Sequence, residues 1–194
     1  MKNISFAPKP YNPNAGEKDA DPALKEAQLF SNVFNRVARN CFYTIQKCTD
    51  GKIPVGDVSE EILEDAKRTI LGFERAMANK TFHQAFNTTD KFIRRANKQW
   101  SRSTKGIDWS DPGESIEQPL IDIFHMLRVA TVLMHSIAPI GTAKILDHLN
   151  LGEDFWKWEH IFETIYFFME DPQAHQPKTL PPKTDFFERH PSQW

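Results

Sequence analysis

The sequence has few cysteines, few glycines and no long apolar run, and each shortage excludes a class of protein. Only two of its 194 residues are cysteine, which excludes a disulfide framework and a four-cysteine zinc site. Cys41 and Cys48 fall in one helical pattern, about 10.5 Å apart along the axis, so we expect reduced thiols and no bridge. Neither a membrane span of roughly 20 apolar residues nor a signal peptide is visible. The sequence therefore predicts a cytoplasmic protein.

The eight glycines are spaced too widely for the phosphate-binding loops G-x-G-x-x-G and G-x-x-x-x-G-K-[ST]. A G-x-S-x-G elbow and an H-E-x-x-H helix are missing as well. The nearest approach to a metal motif is Asp122 with His125 on one predicted helix face, and one such pair cannot fill a coordination sphere. We expect no cofactor, no metal and no catalytic residue. The alternative hypothesis of a metal-dependent enzyme is based on these two side chains alone.

The charge is nearly balanced, with 24 Lys and Arg against 26 Asp and Glu and a formal net charge of −2. This balance excludes a surface that is positively charged overall. Any nucleic-acid site therefore has to be a local patch of positive charge. The length suits one domain, which buries roughly 70% of the surface of the extended chain without disulfide support.

Apolar residues recur at helical spacing in six segments, and no window alternates with the period of a strand. The predicted helices span about 22–48, 57–78, 82–100, 117–137, 142–149 and 153–168. The second opens on a capping-box pattern with Asp57 in the cap role. This pattern predicts an all-α fold, an antiparallel bundle of about five to six helices.

Proline-rich segments flank the bundle at both ends. Residues 1–20 are polar and proline-rich and are expected to form a flexible arm, and residues 21–170 form the bundle. The tail, 171–194, has five prolines but also Phe186, Phe187 and Trp194. Because proline opposes helix while aromatic rings favour burial, we predict an extended tail that packs on the bundle.

The third predicted helix carries a ridge of positive charge with no acidic residue inside it. Its members are Lys91, Arg94, Arg95, Lys98 and Arg102, with Lys105 just beyond. Like charges at three- and four-residue steps repel one another by a few tenths of a kcal/mol per pair, a cost that binding of a polyanion would offset. A charged face that is simply solvated is the alternative interpretation.

The first helix offers a polar face made of amides and guanidinium groups. With Val37 taken as the core direction, the helical step places Asn35 and Arg39 on the solvent side. The same face includes Asn32, Arg36 and Asn40. Asparagine is a poor helix former, whereas amide and guanidinium groups make paired hydrogen bonds to base edges. Capping of loops or pairing across the bundle is the alternative interpretation.

Trp100 stands at the end of the basic ridge and continues its apolar stripe. Periodicity favours a tryptophan that closes the bundle. If the helix extends past its partners, the indole is exposed beside Lys98 and Arg102, an arrangement in which proteins stack unpaired bases.

These segments resemble the C-terminal anticodon-binding helix bundle of methionyl-tRNA synthetases. The likeness covers about residues 22–170, and its motifs are short but correctly ordered. They are Phe34-Asn35-Arg36-Val37-Ala38-Arg39-Asn40, Gly51-Lys52-Ile53-Pro54, Lys91-Phe92-Ile93-Arg94-Arg95-Ala96-Asn97-Lys98-Gln99-Trp100, Leu127-Arg128, Met134-His135-Ser136-Ile137-Ala138-Pro139 and Ala143-Lys144-Ile145-Leu146.

The resemblance implies recognition of the CAU anticodon of methionine tRNA. It implies that Asn35 and Arg39 bond to base edges, that Trp100 stacks on an anticodon base and that the flanking cations hold phosphates. Two features depart from the family: Gln99 replaces the usual proline before the tryptophan, and the class I catalytic motifs are missing. This chain alone is therefore not expected to charge tRNA, and a separate class I catalytic chain or a longer polypeptide is implied.

Two other functions remain open at this level. One is a protein-interaction module that retains the synthetase bundle without binding RNA, suggested by the aromatic tail and the net acidity. The other is the metal-dependent enzyme based on Asp122 and His125.

Overall fold

The structure, a computed structural model, describes residues 28–188. Five α-helices follow one another: α1 Asn35–Cys48, α2 Glu60–Ala78, α3 Phe82–Ser103, α4 Glu117–His135 and α5 Pro139–Leu149. A π-helical turn, Leu29–Phe34, leads into α1. The described residues contain no strand, so the predicted all-helical bundle is confirmed. The predicted arm, the start of the first helix at 22–27 and Trp194 lie outside the described residues.

Helix α4 is the centre of the bundle, because its side chains from Pro119 to Met134 are all buried. Helices α1, α2, α3 and α5 all pack against it. Helices α1 and α3 run in the same direction. Phe30, just before α1, meets Phe86 in the first turn of α3, with ring centroids 6.3 Å apart, and Lys47 in the last turn of α1 meets Trp109 beyond the end of α3. Helix α2 packs against α3 and α4.

Several predicted boundaries shift for identifiable reasons. Helix α2 begins at Glu60 with Ser59 as its N-cap, so Asp57 is not the cap. Helix α3 continues to Ser103, where the hydroxyl of Thr104 donates a hydrogen bond of 2.7 Å to the Trp100 carbonyl. Pro139 opens α5, a position that suits proline because the first helical N–H has no partner.

The predicted helix at 153–168 is instead three short 3-10 turns, Glu153–Trp156, Trp158–His160 and Ile165–Phe168. Arg128, fully buried in α4, donates hydrogen bonds to the carbonyl oxygens of His160 and Ile161. In an α-helix those carbonyl oxygens would accept backbone hydrogen bonds from residues four positions later. The guanidinium also lies over the ring of Phe168, 4.9 Å from its centroid, so the segment wraps around a buried cation.

The C-terminal tail crosses from α5 to α1. Lys178 donates its backbone N–H to the His148 carbonyl, 2.8 Å away, at the end of α5, and the Tyr43 hydroxyl of α1 donates to the Pro181 carbonyl, also 2.8 Å away. The rings of Phe186 and Phe187 are buried. A Cβ at Gly141 would lie 2.2 Å from the Phe187 ring, so glycine in α5 is what lets this ring approach. Within residues 28–188, no helix has both the length and the hydrophobicity needed to cross a membrane.

Candidate nucleic-acid interface

Asn35 does not lie on the solvent side of α1, and that prediction is wrong. Its side chain is completely buried because the tail lies over it. The amide oxygen accepts the N–H groups of Phe186 and Phe187, each at 3.0 Å. The amide nitrogen donates to the carbonyl oxygens of Phe187 at 2.8 Å and Ser31 at 3.1 Å. Asn35 therefore fixes residues 186 and 187 of the tail to the first helix.

The other residues of the predicted polar face remain accessible to different degrees. Arg36 is exposed, whereas Asn32, Arg39 and Asn40 are half-buried. The guanidinium of Arg39 pairs with the carboxylate of Asp185 in the tail, 2.7 Å away. The face that α1 presents is thus narrower than predicted and is bordered by the tail.

An open groove of about 790 Å³ lies between α1 and the tail. Four of the side chains that line it are cationic and none is a carboxylate. The lining residues are Arg36, Arg39, Asn40, Tyr43, Gln46, Lys47, Thr179, Leu180, Pro181, Pro182 and Lys183. In a chain with a net charge of −2, this is a local positive patch with an apolar wall of proline and tyrosine.

Trp100 is buried, with only 7% of its surface exposed, so the arrangement in which its indole faces solvent beside Lys98 and Arg102 is not observed. It packs against a second indole, that of Trp109, with ring centroids 6.5 Å apart. Trp109 is 37% exposed, and the ammonium nitrogen of Lys47 lies 5.7 Å from its ring centroid. The exposed indole beside a cation is therefore Trp109. The signal available in the sequence was a tryptophan within an otherwise polar loop.

Half of the cations of the basic ridge form ion pairs, which reduces the expected self-repulsion. Three of its arginines pair with carboxylates from α2 or from their own helix: Arg94 with Asp90 at 2.9 Å, Arg95 with Asp65 at 2.8 Å and Arg102 with Glu61 at 3.4 Å. Lys91, Lys98 and Lys105 are exposed and form no ion pair with any residue from 28 to 188. Fewer charges are available for an anion than the sequence suggests.

Asp122 and His125 serve the fold. The Asp122 carboxylate accepts the N–H and the hydroxyl of Ser59, at 2.9 and 2.8 Å, and so holds the start of α2. Burial and the neighbouring Arg128 lower the pKa of His125 to about 4, and burial lowers the pKa of Arg128 to about 10. Among the described residues, no group of three or more His, Cys, Asp or Glu side chains is placed to hold a metal ion.

Comparisons with known proteins relate the chain to methionyl-tRNA synthetases. It is 24% identical to the methionine–tRNA ligase of Bacillus subtilis over 167 residues, which are 82% of this chain and 24% of that protein. No protein-family profile matches it. The fold is that of part of Mycobacterium tuberculosis methionyl-tRNA synthetase. The apo structure gives a TM-score of 0.70 at 19% identity, over 88% of this chain and 35% of that one.

A second structure of the Mycobacterium tuberculosis enzyme, bound by methionyl-adenylate, gives a TM-score of 0.65 at 18% identity and covers 86% of this chain and 33% of that one. The chain thus spans about a quarter to a third of the proteins that it matches. By sequence over most of its length, and by fold, this chain is homologous to part of methionyl-tRNA synthetase.

Proposed function

We propose that this chain binds the anticodon loop of methionine tRNA, with preference for CAU. The observation that carries the proposal is the groove beside α1, where four cations and no carboxylate line an open surface. Contacts to phosphates supply most of the affinity of proteins for nucleic acids, and contacts to base edges supply specificity. The groove offers donors for both, because Arg36 and Arg39 lie next to the amide of Asn40.

The roles of the predicted site residues divide between contact and support. Arg36, Arg39 and Asn40 are the residues we assign to bases and phosphates. Asn35 is assigned to positioning, since its hydrogen bonds to Phe186 and Phe187 hold the tail that forms one wall of the groove.

Helix α3 is assigned a secondary role. Lys91 and Lys98 are exposed and can reach phosphates at longer range, while Arg94, Arg95 and Arg102 have to exchange a carboxylate partner for a phosphate. The free energy of that exchange is small because ion pairs at an exposed surface contribute only about 0–1 kcal/mol.

Aminoacylation needs parts that this chain does not cover. It spans 24% of the length of the Bacillus subtilis ligase. We therefore assign the catalytic step to a class I catalytic unit, either on a separate chain or in the same longer polypeptide.

Protein interaction, the second function considered, has a weaker basis in the fold. The aromatic tail and the net acidity suggest it, but Phe186 and Phe187 of that tail are buried in the core and offer little surface to a partner.

A titration of the purified chain with a fluorescent CAU stem-loop tests the proposal, with a scrambled loop on the same stem as the comparison. We expect tighter binding of the CAU loop and an affinity that falls as salt rises, because bound phosphates release counterions. Arg36→Glu is expected to weaken binding at least tenfold, whereas Lys67→Glu, a charge reversal on the exposed face of α2, changes it little. Equal affinity for both loops at low salt would contradict anticodon recognition.

A further inference from the structure

The tryptophan predicted to stack on a base lies inside the bundle, while a second one lies at its surface. We propose that Trp109 is the platform on which an unpaired RNA base stacks and that Trp100 supports it. This inference rests on the proposed function and identifies a contact residue for it.

Exposure separates the two indoles. Trp100 is 7% exposed and Trp109 is 37% exposed, so only Trp109 has surface available to a base. The two rings pack at 6.5 Å with an interplanar angle of 46°. Because Trp100 belongs to the hydrophobic core, it fixes the position of the ring that lies on it.

The loop that carries Trp109 is held in place by local hydrogen bonds. The carboxylate of Asp108 accepts the N–H of Ser110 at 2.9 Å and its hydroxyl at 2.7 Å. These bonds lower the pKa of Asp108, because they stabilise its ionised carboxylate. Gly106 adopts a φ of +89°, which permits the reversal after α3. A platform that is already ordered loses little conformational entropy when a ligand binds.

Lys47 joins the platform to the groove. Its ammonium nitrogen lies 5.7 Å from the Trp109 ring centroid, and its side chain also lines the groove. The ammonium group lies over the ring, so a base that stacks there displaces it, and the displaced ammonium group can pair with the phosphate of that nucleotide. The carboxylates of Asp108 and Asp111 on the loop repel phosphates, which directs the strand away from the loop and along α1.

The dimensions suit a single strand with several phosphates. Arg39 and Lys47 are eight residues apart on α1, about 12 Å along the axis. That distance covers at least three steps of ~3.4 Å in a stacked strand. Cations in a row with an aromatic ring at one end are the combination used to bind unpaired nucleic acid, whereas double-stranded RNA offers no free base to the ring.

The experiment compares Trp109→Leu with Trp109→Phe in the whole chain, with the CAU stem-loop as the probe. Leucine keeps an apolar side chain but has no π-face, and phenylalanine keeps the π-face. We expect Trp109→Leu to weaken binding about 5- to 150-fold, the range found when a stacking aromatic residue is lost. We expect Trp109→Phe to restore most of the affinity.

Trp158→Leu is the matched control, since Trp158 is 39% exposed but packs on Phe73 at the face of α2. It should leave binding unchanged. If Trp109→Leu binds the CAU stem-loop with the same affinity as the unchanged protein, base stacking on Trp109 is rejected while the proposal of anticodon binding stands. If the unchanged protein binds neither RNA loop, the proposed function and this inference are both rejected. Circular dichroism of each variant separates loss of binding from loss of fold.

Discussion

The carboxylate of Asp185 lies 2.7 Å from a guanidinium nitrogen of Arg39, across 146 positions of sequence. One of the four cations of the groove thus already forms an ion pair with an acidic side chain of the tail. Any anion that binds Arg39 has to compete with it.

We predict that Asp185→Asn strengthens binding of the CAU stem-loop by up to about fivefold, because it frees Arg39. The size follows from the 0.2–1 kcal/mol that exposed ion pairs contribute, since both side chains of this pair are about one third exposed. Fluorescence anisotropy at low salt measures the change. Glu188→Gln is the control, because Glu188 pairs with Lys144 of α5 at 3.1 Å. A decrease in affinity for Asp185→Asn would show that the pair supports the site.

We predict that Asn35→Ala lowers the free energy of unfolding by about 2–4 kcal/mol. The substitution leaves the N–H groups of Phe186 and Phe187 and the Phe187 carbonyl buried without a partner. Urea denaturation followed by circular dichroism provides the measurement. Asn40→Ala, a half-buried amide further along the same helix, should change stability by no more than about 0.5 kcal/mol. Equal effects of the two substitutions would mean that the tail is not fixed through Asn35.

We predict that stability falls as the pH drops below about 6.5, because of His125. In the folded chain its pKa is about 4 against an ordinary value of 6.5. The unfolded chain therefore binds the proton first, and protonation favours unfolding between these two values. The loss reaches roughly 3 kcal/mol near pH 4.

His125→Gln removes the titrating group and should flatten the dependence of unfolding free energy on pH in that window. His83→Gln, which alters an exposed histidine of α3, is the matched control. An unchanged slope for His125→Gln would assign the acid sensitivity to other groups.

The helices were predictable because apolar spacing is a local property of the chain. The central helix, α4, is buried on all sides, and its sequence is correspondingly apolar throughout. Local spacing failed at 153–168, where the deciding partner is the guanidinium of Arg128, about thirty residues earlier.

The placement of Asn35 failed for a related reason. A helical wheel with one core direction treats the opposite side of the helix as solvent. In the bundle the core covers Val37 from one side and the tail covers Asn35 from another, and the two amides that bind it belong to residues 186 and 187. A contact across 150 positions leaves no periodic signal.

The basic ridge shows that ion pairs between helices are likewise invisible in a local sequence pattern. The sequence of α3 alone shows five cations, but Glu61 and Asp65 lie one turn apart on α2 and face Arg102 and Arg95. Which helix lies beside which is a tertiary property. The resemblance to methionyl-tRNA synthetase was visible in short motifs, whereas the exposed indole at Trp109 required the three-dimensional arrangement.

The tail that walls the groove also completes the core, because the Phe187 ring occupies the space left by Gly141. A variant shortened as far as Phe187 would therefore change the core and the proposed binding groove at the same time. A deletion of residues 179–188 removes two buried rings together with one wall of the groove, so single substitutions that leave Phe186 and Phe187 in place are the better probes of RNA contacts.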